Sequence, residues 1–369
     1  MKTQRALMFT GIALGASLVS LAAYAQDQQS WTMTSTWPEN IDAVKIDRHW
    51  VDMVNNIAGD VLQIEFHPGG TLMPGTEVFD ATETGSIEAS GDWPGYWAGL
   101  NPAFSPLATT TSLFNALDYF NWIQQWGGRE LYQEIYGQFG LVYLPYGVLN
   151  NESGFMGRTP IESIADLEGK RLRIAGRDQG RVMEELGGSQ VTLAGSEVYQ
   201  AIERGVVDAA EFSAPGIDYS VGLAEVAEYW ATPGWHQSAT VFGVMINKDA
   251  WDALSEETQQ KLEMAADATM GWSLAWSERQ STDATQKFID AGITINQFSE
   301  EDLARIQEIT NEVIVRGACE HPDHAKVYHS MISYMEHYAT WRDISAPFNM
   351  SRVTDDLPSL EDLEACMNQ

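Results

Sequence analysis

The stretch from Arg171 to Phe212 constrains this chain more than any other. Arg171-Leu172-Arg173-Ile174 reads as a strand, and Gly180 to Leu186 as a helix closed by Gly187-Gly188. A second helix follows, with Ser196 able to cap it, Arg204 near its end and Gly205 to stop it. Val206-Val207-Asp208-Ala209-Ala210-Glu211-Phe212 then reads as another strand. An arginine therefore ends one strand and a carboxylate ends the next. Ligands of α/β sheets sit outside the carboxyl ends of strands, so this is a place to hold a small anion, with a cation beside it.

The rest of the chain repeats the alternation. Trp31 to Trp37 alternates as a strand up to Pro38, Asp42 to Ile57 has a helical period that Gly59 stops, and Val61 to Phe66 is a strand. Gly85-Ser86-Ile87-Glu88-Ala89 reads as a further strand, and Asp92 to Pro106 as an aromatic loop. Leu141 to Leu149 and Val241 to Asn247 are strong apolar strands. Ser163 with Asp166 has capping-box character before a short helix closed by Gly169. Ser255 and Ser299 each start a long helix with acid in the first turn, where the helix dipole favours it. Leu303, Ile306, Ile309 and Val313 share one face of the second of these, and the chain from Cys319 onward is helical and aromatic. Strands that alternate with helices predict an α/β protein of parallel βαβ units.

Lys2 and Arg5 precede an apolar run from Ala6 to Leu21, and Ala23-Tyr24-Ala25 is a small-x-small cleavage site. The run is shorter than the about 20 residues a spanning helix needs, which predicts a cleaved signal peptide over 1–25 and an exported, periplasmic chain. Most of the 369 residues remain after cleavage, too many for one small core, so two lobes are expected. The net charge of −31 argues against nucleic acid and anionic lipid as partners. An acidic protein that binds an anion then needs buried arginine or a bound cation at the site. Cys319 and Cys366 are the two cysteines, and an oxidising compartment predicts a disulfide worth roughly 4 kcal/mol.

Taken on residues alone, Arg173 is either a surface arginine paired with a glutamate or the anchor for a planar organic acid, which a guanidinium matches with two parallel hydrogen bonds. Glu152, in Asn150-Asn151-Glu152-Ser153-Gly154, is either a solvated loop residue or a ligand. Trp93, Tyr96 and Trp97 either pack around a loop or line a pocket. His321, His324 and His329 lack a strong zinc spacing. His236 has no nucleophile placed beside it and reads as a structural, hydrogen-bonded histidine.

Asp166-Leu167-Glu168-Gly169-Lys170-Arg171-Leu172-Arg173, Ala209-Ala210-Glu211-Phe212 and Pro233-Gly234-Trp235-His236-Gln237 together resemble the extracytoplasmic substrate-binding proteins of TRAP transporters, in particular the branch that binds 2-oxo acids. The resemblance implies a two-lobed periplasmic-binding-protein-like α/β fold, with a cleft between the lobes and extra C-terminal helices. Lobe 1 would comprise 26–150 with a return at about 238–278, lobe 2 151–237 with about 279–310, and 311–369 a helical segment. It implies that Arg173, Glu152, Tyr96, Trp93 and Phe212 contact the substrate, and that Glu211, the Phe212 carbonyl, Gln237 and Glu152 hold sodium or calcium. Where that branch carries Trp, Gln and Glu, this chain carries Phe212, Glu152 and Gln237, so two carboxylates are kept. Oxygen donors of this kind suit a hard cation. The implied function is a transport receptor, not an enzyme, for a small monocarboxylate such as a 2-oxo or 2-hydroxy acid, working with TRAP membrane subunits. Ser330 to Trp341 would supply a helix for a homodimer. The substitutions keep a larger or more apolar acid open as the ligand. A periplasmic metal-dependent enzyme and a sensory binding module remain as other readings.

Overall fold

The computed structural model describes residues 28–345. The signal-peptide expectation for 1–25 and the Cys366 half of the expected disulfide lie outside them; Cys319 is exposed near the end of its helix. Eleven strands occur among the described residues: β1 Gln29–Ser35, β2 Leu62–Phe66, β3 Ala89–Asp92, β4 Leu141–Leu149, β5 Phe155–Gly157, β6 Arg171–Arg173, β7 Ser189–Val191, β8 Ala209–Ala210, β9 Tyr229–Thr232, β10 Thr240–Asn247 and β11 Thr294–Gln297.

They form two sheets. The first has the order β2-β1-β3-β10-β4, and the second β11-β9-β5-β8-β6-β7. Trp31 and Met33 of β1 are buried against the helix Val44–Ala58, whose buried Val44, Trp50, Val51 and Val54 follow the helical period read from sequence. β1 pairs in parallel with β2 and β3, as alternating strands and helices predict. β10 departs from that rule: it lies antiparallel between β3 and β4, because the chain returns to the first sheet only after building most of the second. β5 likewise runs antiparallel to β8 and β9. Both sheets are therefore mixed.

Other expectations shift locally. The strand expected over Gly85–Ala89 is instead Ala89–Asp92, because Gly85, at φ +71°, turns the chain out of the helix Val78–Glu83 first. The aromatic loop contains two short helices, Pro94–Trp97 and Phe104–Ala108. Ser196 lies inside a 3-10 turn, Gly195–Glu197, and does not cap the helix Val198–Glu203. The Glu197 carboxylate accepts from the Ala194 N–H instead. The apolar run Val206–Phe212 supplies only two residues of strand, Ala209 and Ala210, with Val206 exposed.

Ser255 accepts from the Thr258 N–H and starts the helix Glu256–Asp290. At 35 residues this helix is about 52 Å long. It packs on β4 of the first sheet and on the helix Pro215–Ser220 beside the second. The helix Glu300–Glu320 buries Ile306, Ile309 and Val313 on the second sheet, with Leu303 partly buried beside them. The C-terminal helix, Pro322–Ser345, turns back and packs Val327, Tyr328, Met331 and Tyr334 into the aromatic core under the first sheet.

The acid excess, 52 Asp and Glu against 21 Lys and Arg, makes the folded state repel itself. The melting temperature is expected to rise by several degrees between about 10 mM and about 500 mM choline chloride, as the screening length shrinks. Choline is too bulky to occupy a small cation site, so a flat response in a melting scan would show that the surface charges are already locally balanced.

Candidate functional site

Parallel pairing sets the first part of the site. Arg173 ends β6 and stands beside Ala210 of β8, so Glu211 emerges just past the same edge, its N–H donating to the Arg173 carbonyl at 3.1 Å. Arg173 is 1 % exposed. Its Nη1 donates to the Glu211 carbonyl and to Glu211 Oε1, both at 2.9 Å. Its Nη2 and Nε donate to the Leu193 carbonyl at 3.1 and 3.3 Å. Glu211 Oε1 also accepts from the Ala175 N–H. The arginine is thus paired with a glutamate, as one sequence reading held, yet the pair is buried and borders a cavity.

Phe212 lays its ring over the Arg173 guanidinium, 5.7 Å from ring centre to the guanidinium carbon. The ring rests against Gly195, where a β-carbon would fall 2.2 Å from it, so glycine is what admits the phenyl group.

Glu152 arrives from the other direction. It forms an isolated antiparallel bridge with Gly234, and its N–H donates to the Gln237 carbonyl at 3.1 Å. A β-carbon at Gly234 would fall 2.3 Å from the Glu152 carbonyl oxygen, so only glycine permits this approach. The neighbouring Ser153 N–H donates to the Ser213 carbonyl at 2.9 Å, which ties the Glu152 segment to the one carrying Glu211. Glu152 Oε2 lies 3.0 Å from His236 Nε2, and His236 Nε2 lies 4.0 Å from Glu211 Oε2.

Two buried carboxylates therefore share one small region with one guanidinium. Burial, joined by the charges of Glu211 and Asp218, holds the Glu152 carboxyl well above the usual carboxylate range, with Arg173 opposing. Burial lowers His236 to about 4, so its ring is neutral at pH 7. Burial raises Tyr96 to about 12, with the Arg173 charge opposing. Glu211 Oε2 and Gln237 Oε1 are buried without a hydrogen-bond partner. Glu152, Glu211 and His236 also offer donor atoms within 4.8 Å of one another. Unpaired buried oxygens and a carboxyl that resists ionisation fit a hard cation with oxygen ligands.

One narrow cavity collects these groups. Arg173, Glu152, Phe212 and Gln237 line it, as do Trp93 and Tyr96. Glu211 sits directly behind Arg173, and Trp97 points away, its indole N–H donating to Asp92. The Trp93 indole N–H is taken by Thr240 Oγ1 at 2.8 Å, which leaves that ring as an apolar wall. The sequence reading missed Trp37 and Phe242. Trp37 packs 5.7 Å from Tyr96 and 5.8 Å, edge to face, from Phe242. Phe242 sits where the register of β10 against β4 slips, and such bulges re-aim a side chain. Only the break in pattern at Phe242-Gly243 could have signalled it. The histidines set aside for zinc do not cluster; His324 instead bonds Asp178.

A family profile, bacterial extracellular solute-binding protein, family 7, matches residues 33–318. The chain is 27% identical over 319 residues to the monocarboxylate 2-oxoacid-binding periplasmic protein of Nostoc sp., covering 85% of this chain and 86% of that one. A TRAP transporter solute-binding protein from Bordetella bronchiseptica superposes with a TM-score of 0.84 at 25% identity. The match covers 89% of this chain and 99% of that one. That structure is a dimer of mixed occupancy, with copurified calcium and picolinate in one active site and the other site apo. A TRAP periplasmic solute-binding protein from Pseudoalteromonas atlantica, solved with sodium and pyruvate, superposes at 0.82 with 24% identity, over 88% of this chain and 99% of that one. With a profile that runs from β1 to the helix Glu300–Glu320, the chain belongs to the bacterial extracellular solute-binding proteins, family 7.

Proposed function

We propose that this chain is the periplasmic receptor of a TRAP transporter and that it captures a small monocarboxylate, a 2-oxo or 2-hydroxy acid, together with sodium or calcium. The observation that carries this reading is the meeting of Glu152 and Glu211 beside Arg173, with a Glu211 oxygen and the Gln237 amide oxygen buried and unpaired. Glu152, Glu211, Gln237 and the Phe212 carbonyl would hold the cation, which supplies positive charge between the protein's carboxylates and the ligand's. Arg173 and Tyr96 would face the acid group, and Trp93 and Phe212 its body. The first sheet with its helices forms one lobe and the second sheet the other, with the ligand between them. Closure excludes water and strengthens each charged contact. The membrane subunits would then read the closed form, the state that the ligand favours.

The rings of Trp37, Trp93, Tyr96, Phe212 and Phe242 around the cavity support a second version of the same reading, in which the acid carries a larger, flat or apolar body. In either version the protein is a receptor and leaves its ligand chemically unchanged; turnover of a bound acid would overturn that.

The test is a thermal-shift screen of dialysed protein against pyruvate, longer 2-oxo acids and aromatic carboxylates, each with and without sodium or calcium. A ligand at 100 times its dissociation constant stabilises by about 2.7 kcal/mol. A shift that needs both an acid and a cation supports the reading, and which acid gives it separates the two versions. No shift with any acid, from protein that native mass spectrometry shows to be empty, would overturn it.

We further assign a homodimer to the far end of the C-terminal helix. Trp341 and Ile344 are exposed there, beside a groove lined by Trp126, His337 and Tyr338. An apolar surface of this kind on a water-exposed helix fits a second copy of the chain. Light scattering at micromolar concentration is expected to give twice the chain mass, and Trp341→Glu to return it to one; a monomeric wild type would refute the assignment.

A further inference from the structure

Asp178 is buried and outside the ligand cavity, and nothing derived so far uses it. It is the second residue of the helix Arg177–Glu185, which starts one residue after Ala175-Gly176, the backbone that meets Glu211. That helix belongs to the second-sheet body. Arg177 and Arg181 each donate to Glu320 at 2.7 Å, Arg316 donates to Glu185 at 2.8 Å, and Val182 and Met183 pack into the core under the second sheet.

The C-terminal helix Pro322–Ser345 belongs to the other body. Asp323 accepts from Asn101 at 2.7 Å and from Gln138 at 3.0 Å, and the Trp122 indole donates to Ser330 at 3.0 Å. Tyr334 donates to Asp118 at 3.1 Å. All four partners lie on segments around the first sheet.

Asp178 crosses between the two. Its Oδ2 lies 2.8 Å from His324 Nε2 and 3.2 Å from the Tyr328 hydroxyl, both on the C-terminal helix. Its N–H donates to Ser105 Oγ, on the helix Phe104–Ala108 beside the first sheet, at 3.4 Å. Asp178 and Tyr328 are 2 % exposed and His324 is fully buried. The elbow between the two last helices builds this contact, since His324 packs on Gly317, where a β-carbon would fall 2.6 Å from its ring.

We propose that Asp178, held by His324, Tyr328 and Ser105, is a positioning residue. It clasps the second-sheet lobe to the first and so holds the Arg173–Gly176 loop in the geometry that binds ligand. This rests on the reading of the chain as a two-lobed receptor. A carboxylate with two side-chain donors and one backbone contact across a lobe boundary, in a site dry enough to strengthen them, stabilises the shut arrangement relative to the open one. Opening must break all of these contacts together. The clasp thus acts on ligand release without touching the ligand.

The test compares wild type with Asp178→Ala, Asp178→Asn, His324→Ala, the Asp178→Ala/His324→Ala double variant and Tyr328→Phe. The last removes one hydroxyl and is the variant safest for folding. Pyruvate with calcium is the probe. Its dissociation is followed by tryptophan fluorescence, and the radius of gyration of the ligand-free protein by small-angle X-ray scattering. The dissociation rate is expected to rise roughly tenfold in Asp178→Ala and about threefold in Tyr328→Phe, with association unchanged and the ligand-free radius larger in both. Asp178→Asn, which keeps an acceptor for Tyr328 and His324, should recover most of the loss. The double variant should be no worse than Asp178→Ala, because both changes break one contact. Folded variants that melt earlier but keep the wild-type radius and dissociation rate would overturn the proposal, and so would a double variant with additive losses. Should wild type ignore pyruvate, the monocarboxylate reading is what has failed. The scattering radius of Asp178→Ala and Tyr328→Phe then decides the clasp by itself, an unchanged value overturning it.

Discussion

Replacing Arg173 with alanine is expected to weaken acid binding sharply and to destabilise the fold in the same stroke. The guanidinium makes four hydrogen bonds, two to Glu211 and two to the Leu193 carbonyl, in a place with 1 % exposure. Its removal leaves Glu211 buried with its nearest cation gone. Breaking a buried pair from one side costs about 3–5 kcal/mol of stability. Ligand affinity should fall by about 2–5 kcal/mol, because the acid group loses its partner while Glu211 repels it. Arg173→Lys separates the two effects. An ammonium can hold the Glu211 charge but cannot span Glu211 and Leu193 at once, so stability should recover more than affinity does. Denaturant melts and isothermal titration measure both quantities. An alanine variant that binds the acid as wild type does would remove Arg173 from the site.

Glu152 gives the second large effect, and its sign is fixed. Its folded-state pKa is raised above the value in the unfolded chain, so its favourable contribution is present at acid pH and lost as pH rises through the folded value. Asp47 and Asp92, each pushed up to about 7 by burial, act in the same direction. His236, lowered to about 4, acts oppositely and costs stability as pH falls below about 6.5. Without a cation, the three raised carboxyls outweigh the one histidine, so stability should decline as pH rises from about 5 toward 8, by up to about 1.4 kcal/mol per unit for each net proton lost. A cation takes the place of the Glu152 proton, so calcium or sodium should raise the melting temperature much more at pH 8 than at pH 5. Glu152→Gln, which is neutral at every pH and keeps an oxygen ligand, should be more stable than wild type at pH 8 without cation, and its cation response should depend far less on pH. An equal calcium response at both pH values in the wild type would exclude Glu152 as a ligand.

How far these groups were legible in the sequence depends on how far apart they lie. Arg173 and Glu211 could be read because a parallel strand pair places consecutive strand ends together, and the strand-helix-strand pattern announces the pair. Ser255 and Ser299 could be read because a cap is local. Strand direction could not: β10 looks like any apolar strand, and its antiparallel place between β3 and β4 depends on the route of the chain around it. The sequence offered Trp37 as the end of a strand and Phe242 as strand interior, and only the folded sheet brings their rings together. His236 was read as a hydrogen-bonded residue without a partner; the partner, Glu152, is 84 positions away. The Asp178–His324 contact spans 146 positions and carries no local signature. The strand expected over Val206–Phe212 was too long because apolar character alone does not supply a neighbour to pair with, and β8 pairs only through Ala209 and Ala210.

The cavity is lopsided. Glu152 and Arg173 come from segments joined to the second sheet, together with the Phe212 ring, whereas the other four rings, Trp37, Trp93, Tyr96 and Phe242, come from the first. An acid arriving at an open molecule would meet its charge partners on one wall alone, still wet, and the aromatic wall would reach it only afterwards. Capture and retention would then be governed by different residues: the encounter rate by the charged wall and ionic strength, and the residence time by the rings that descend on the ligand and strip its water. Such a division would let the family retune which acid is kept by changing rings, while leaving the machinery of first contact alone.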